Sequence, residues 1–194
     1  MRYRHIIFDC DGVLVDTETI AIRVEAELFR HFGHPLTEAE IADLFIGKAA
    51  DFQARWLSEK LGRDVASAYE ALHGEYMLKA FRQGVEPVAG VKETLAVLTA
   101  PKSVATNGVR ERATFALTHT GLISFFEGRL NTVEDVAQGK PAPDLYLHAA
   151  RLAGVSPEDC IVIEDSATGA RASLAAGMTT IGFIGVAHDR EAAT

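Results

Sequence analysis

From residue 88 onward the sequence alternates short β-branched runs with helical stretches, and that alternation decides the fold. A helix over 91–99 precedes the strand "KSVAT" (102–106). A helix over 110–121 precedes a weaker strand at 128–133. A helix opened by Pro141 and Pro143 leads to "CIVIED" (160–165), and a helix over 167–177 leads to "TTIGFIG" (179–185). Near the N-terminus "YRHIIFD" (3–9) reads as one more strand, apolar on both faces. Strand and helix in alternation predict an α/β, Rossmann-like parallel sheet with helices on both faces.

Between the first strand and the rest the period changes. Ile20, Val24, Leu28 and Phe32 recur every four residues, which predicts an amphipathic helix ending at Gly33. "TEAE" (37–40) is a capping box that opens a second helix stopping near Gly47. Residues 50–62 and 66–83 read as two more helices. The predicted organisation is a Rossmann-like core from 1–16 and 87–194, interrupted by an all-helical insert over 17–86.

Composition narrows the class. The 194 residues carry a formal net charge of −8, which disfavours nucleic acid and anionic membrane as partners. No run of 18 apolar residues predicts a membrane span, and "IIF" is too short for a signal peptide. Cys10 and Cys160 read as reduced thiols of a cytoplasmic protein, and Cys10 as a small buried core residue. Parallel strands put them at opposite ends of the sheet, too far apart for a disulfide. The seven histidines show no metal-ligand spacing. Trp56 and the aromatics of 66–83 read as core of the helical block.

Ligands of open α/β sheets bind beyond the carboxyl ends of the strands. There the first strand presents Asp9 and Asp11, followed by Gly12, which lets the backbone turn sharply. The strand 102–106 ends in Thr106 and Asn107, and the strand 160–165 ends in Glu164 and Asp165. Lys140 follows the weak strand. Acids at close range raise one another's pKa, so the cluster calls for a cation. Carboxylates suit Mg²⁺, which takes phosphate oxygens as further ligands. With Lys140 it would hold a phosphate.

These segments, "DCDGVLVD", "ATNG", "GKPAPDLY" and "VIEDSATG", resemble in order and spacing the four motifs of the haloacid dehalogenase-like superfamily. The helical block resembles the cap of the subgroup that holds β-phosphoglucomutases and sugar-phosphate phosphatases. The resemblance implies that Asp9 is the nucleophile and forms an aspartyl-phosphate. It implies that Asp11 is the general acid and base, and that Lys140 neutralises charge. Thr106 and Asn107 would bind the phosphoryl oxygens. Asp9, Asp165 and the backbone carbonyl of Asp11 would hold Mg²⁺, with Glu164 assisting. Lys48, in the cap loop that faces the site in related enzymes, would contact the substrate, although a solvated surface lysine is the alternative reading.

The resemblance implies a Mg²⁺-dependent phosphatase for a small phosphorylated metabolite, a sugar or sugar-acid phosphate. "FDCDG" and "LTAPKSVATNG" are closest in character to 6-phosphogluconate phosphatases. A monomer or weak homodimer is expected. A β-phosphoglucomutase-type mutase is the alternative reading. Two departures count against it: Ala21 stands where those mutases usually carry a histidine, and Ala50 where they carry an arginine. Dehalogenases of the superfamily lack the second aspartate that Asp11 supplies. Related chains usually continue for about one strand and one helix past 179–185, whereas this one stops at Thr194.

Overall fold

A computed structural model describes residues 3–45, 50–126 and 128–184. Five parallel strands form one sheet: β1 (His5–Phe8), β2 (Lys102–Thr106), β3 (Leu130–Thr132), β4 (Cys160–Glu164) and β5 (Thr179–Gly182). Their order is β3-β2-β1-β4-β5. The chain moves outward from β1 to β3 on one side, then crosses to β4 on the other. The order therefore reverses beside β1, and a crevice opens there at the carboxyl ends of the strands. Phe8 pairs with Val104 on one side and Ile163 on the other, so β1, β2 and β4 end close to one level.

Helices α5 (Val91–Val97), α6 (Arg110–His119), α7 (Asp144–Ala153) and α8 (Ala167–Ala175) complete this unit. One sheet face is closed: Ile7, Val162 and Cys160 pack with Leu145, Tyr146, Ala149, Ala172 and Met178 in a dry core. The other face departs from the expectation of a sheet buried on both sides. Ile6, Ile161 and Ile163 are half-buried and Ile181 is 48% exposed. With Val88, Val91 and Leu98 they line an apolar groove of about 320 Å³.

Some predicted bounds contract for local reasons. β3 keeps only three residues because Val133–Asp135 turns into a 3-10 helix, capped reciprocally by Thr132 and Asp135. The box had no apolar run after it to announce it. β5 ends at Gly182. His5, on β1, is buried; its Nε2 lies 2.9 Å from Ser103 Oγ. Burial, with help from Arg129, lowers its pKa to about 4, so it is a neutral packing residue. Both cysteines are free and buried, and burial raises both thiols, so neither is a reactive thiolate.

Residues 17–84 form a separate compact unit. It contains α1 (Glu18–His31), α2 (Glu38–Phe45), α3 (Ala50–Leu61) and α4 (Arg63–Gln83). The capping box at α2 is present: Glu40 N–H donates to Thr37 Oγ1, and Thr37 N–H donates to Glu40 Oε2. α4 starts three residues before the predicted position, directly after Gly62, whose φ of +87° favours glycine. Phe29 is the centre of this unit's core. Its ring lies 5.9 Å from Phe45, 5.7 Å from Trp56 and 5.4 Å from Tyr69. Trp56 is thus a packing residue, as its helical spacing predicts. Among the described residues no helix is long and apolar enough to cross a membrane.

Candidate active site

The site begins with β1. Asp9 directly follows this strand, and its N–H donates to Ile163 O at 3.0 Å, which keeps it in register beside β4. Its side chain is only 11% exposed. On the neighbouring strand end, Glu164 is buried and Asp165 is exposed. Ligand oxygens of Asp9, Glu164 and Asp165 lie within 4.8 Å of one another. Gly12 (φ +76°) completes the turn: a Cβ there would overlap the Asp165 carboxylate. Only glycine fits both the backbone and the space.

Lys140 reaches this cluster from the loop before α7. Its Nζ donates to Asp9 Oδ1 and to Glu164 Oε1, both at 2.7 Å. The Lys140 side chain is 3% exposed and that of Glu164 is fully buried, so the contacts are hardly screened by water. Burial works to lower the lysine's pKa, but the two carboxylates outweigh it and hold it above its ordinary value. Burial raises the Asp9 pKa against the pull of Lys140, and Glu164 adds to the rise. One ammonium does not balance three carboxylates. A second cation beside Asp9 and Asp165 would keep Asp9 ionised, so the donor set fits a hard divalent metal.

Glu164 is engaged through both oxygens. Oε1 accepts from Lys140 and from Tyr146 OH at 3.1 Å. Oε2 accepts from Ser166 N at 2.7 Å and from Ser166 Oγ at 2.9 Å. Ser166 Oγ in turn accepts from Gly169 N and caps α8. The ring of Tyr146 lies 4.9 Å below the ammonium of Lys140.

Thr106 and Asn107 stand at the end of β2. Thr106 Oγ1 accepts from Gly108 N at 2.9 Å, which leaves its own proton to donate. Asn107 also reaches Lys140. Its Oδ1 accepts from Lys140 N at 2.8 Å and its Nδ2 donates to Lys140 O at 3.0 Å. The amide thus clamps the lysine's backbone. Asp11 is half-buried and accepts from Arg112 NH2 at 2.5 Å. Lys48 lies outside the described residues.

Sequence reasoning missed Arg112 and Tyr146. Arg112 left a signal. Arg110 and Arg112 open α6, where the helix dipole disfavours cations. Cations placed there call for acidic partners, and the structure supplies them: Arg110 pairs with Asp135 and Arg112 with Asp11.

A buried aspartate–lysine pair and an exposed acid at the switch point of a parallel sheet make a hydrolase-type site on a Rossmann-like core, suited to an anionic substrate. The comparisons with known proteins agree. A family described as "Haloacid dehalogenase-like hydrolase" matches residues 6–183, and the chain belongs to it. It is 30% identical over 190 residues to 6-phosphogluconate phosphatase of Escherichia coli, covering 97% of this chain and 86% of that protein. Among solved structures, a haloacid dehalogenase-like protein of unknown function from Agrobacterium tumefaciens superposes with a TM-score of 0.83 at 35% identity. The match covers 94% of this chain and 83% of the other. A family hydrolase from Deinococcus radiodurans, with bound phosphate and sodium, gives a TM-score of 0.78 at 33% identity, over 93% and 80% of the two chains.

Proposed function

We propose that this chain is a Mg²⁺-dependent phosphatase of a small phosphorylated metabolite, a sugar or sugar-acid phosphate, acting through an aspartyl-phosphate at Asp9. The observation that carries this reading is the buried Lys140 bridging Asp9 and Glu164 beside the exposed Asp165. A carboxylate attacking a phosphate monoester must overcome repulsion between anions, and this arrangement counters it. Asp9 and Asp165 would hold the Mg²⁺ with the Asp11 carbonyl, while Glu164, already engaged by four donors, would act from outside. The ion, when bound, supplies positive charge against the phosphoryl oxygens.

The protein's own residues do the rest. Asp9 attacks phosphorus, and the bond to the leaving oxygen breaks as Asp11 gives that oxygen a proton. Asp11, now ionised, takes a proton from the water that releases phosphate. Thr106 donates its hydroxyl to the phosphoryl group, and Asn107 keeps Lys140 in place. Residues 17–86 would serve as the cap that reads the leaving group, with Lys48 as its candidate contact. The similarity to 6-phosphogluconate phosphatase supports that substrate class.

Product analysis with Mg²⁺ and 6-phosphogluconate tests the reading. Inorganic phosphate is expected as the product, with no isomerised sugar phosphate, and excess EDTA should stop its release. Ca²⁺ should restore activity poorly, because it takes more ligands at longer distances. Full activity in EDTA contradicts the metal requirement, and an isomerised phosphate product favours the mutase.

A further inference from the structure

We propose that Arg112 is a positioning residue for Asp11, fixing which carboxyl oxygen carries the proton delivered to the leaving group. The inference rests on the reading of Asp11 as general acid and base. Arg112 lies in the first turn of α6, 101 residues from Asp11 in sequence. Its NH2 group nevertheless reaches Asp11 Oδ2 at 2.5 Å. The guanidinium also covers Gly108: a Cβ there would lie 3.1 Å from Arg112 NH2 and 3.2 Å from Thr106 Oγ1. It therefore reaches the aspartate that handles protons from beside Gly108, where Thr106, the threonine expected at the phosphoryl group, also lies. Gly108 leaves the space it fills.

The chemistry follows from what a guanidinium can do. It donates in every hydrogen bond and never accepts. A protonated Oδ2 would accept from it far more weakly, so the contact favours the acid proton on Oδ1. The same contact fixes the plane of the carboxyl group, so Oδ1 faces one direction in both half-reactions. In the first, the proton leaves Oδ1 for the leaving oxygen as the phosphorus–oxygen bond breaks. In the second, Oδ1 takes a proton from the attacking water. Arginine suits this role better than lysine, because its planar fork holds direction as well as charge.

Leaving-group dependence separates this role from a general structural one. The sugar alkoxide of 6-phosphogluconate needs a proton to depart, whereas p-nitrophenolate does not. First-turnover rates with Mg²⁺ are measured for wild type, Arg112→Ala, Arg112→Lys and Asp11→Asn on both substrates. Proper placement of a general acid contributes up to about 10²–10⁴-fold. Arg112→Ala is expected to lose about 10- to 100-fold on 6-phosphogluconate but no more than about threefold in the p-nitrophenolate burst. Arg112→Lys should recover part of the loss. Equal loss on both substrates, or no loss on either, overturns the proposal. If Arg112→Ala does not fold, the Lys variant decides: a selective loss on the sugar phosphate supports the role, and an unselective one rejects it. Asp11→Asn marks the boundary with the underlying reading. If it shows the leaving-group signature and Arg112→Ala does not, the phosphatase assignment stands and only the role of Arg112 falls. If Asp11→Asn shows no signature, the general-acid reading of Asp11 and the role of Arg112 fall together.

Discussion

Asp9→Asn is expected to abolish turnover of every phosphate monoester while leaving the fold intact. The amide is the same size as the carboxylate, so β1 and its pairing with β4 stay in place. Its oxygen can still accept from Lys140 Nζ. What disappears is the anionic nucleophile, and with it the covalent route. Removing a nucleophile typically lowers kcat by more than about 10³-fold. Thermal unfolding and p-nitrophenyl phosphate hydrolysis are read together on the same preparation. A variant that folds like wild type but keeps a tenth of its activity would exclude Asp9 as nucleophile.

The second large effect reverses an ordinary rule. Gly→Ala inside a helix usually stabilises by about 1 kcal/mol. Gly74, in α4, has open space around its missing Cβ, and Gly74→Ala should follow that rule. Gly169, in α8, should not. A Cβ there would overlap Glu164 Oε1, the oxygen that receives Lys140 and Tyr146. Glu164 is fully buried, so it has nowhere to move without leaving Lys140. Breaking a buried charged pair costs about 3–5 kcal/mol. Gly169→Ala should therefore unfold at markedly lower denaturant and release little phosphate. Denaturation curves for the two variants give the comparison, and equal stability would mean that the contact yields more easily than its burial implies.

The parallel sheet was legible because its strands are short β-branched runs between helical stretches, and "DCDG" was legible because acids interrupt an apolar run. Lys140 stood out as the cation of "GKPAPDLY", after the weak strand. The contacts that organise these residues were less visible. Tyr146 reads in sequence as one more apolar position of α7, and only the fold brings its hydroxyl under Glu164. The resemblance implies that Asn107 binds phosphate, but spacing does not announce its contacts with the backbone of Lys140, 33 residues away. Sequence spacing reports which strand ends carry polar groups. It does not report which of those groups satisfy one another first, because that depends on distances between segments remote in the chain. The helical unit was legible through its four-residue period, but Phe29 at its centre lies outside the series Ile20, Val24, Leu28 and Phe32, and only the fold shows its role.

Rapid acid quenching during turnover, followed by peptide mapping, tests the central claim most directly. With Mg²⁺ and 6-phosphogluconate or p-nitrophenyl phosphate, a phosphoryl group is expected on the peptide that contains Asp9, and it should be absent from Asp9→Asn. Sustained turnover with no phosphoryl group on that peptide, or with the group on another residue, would contradict the account.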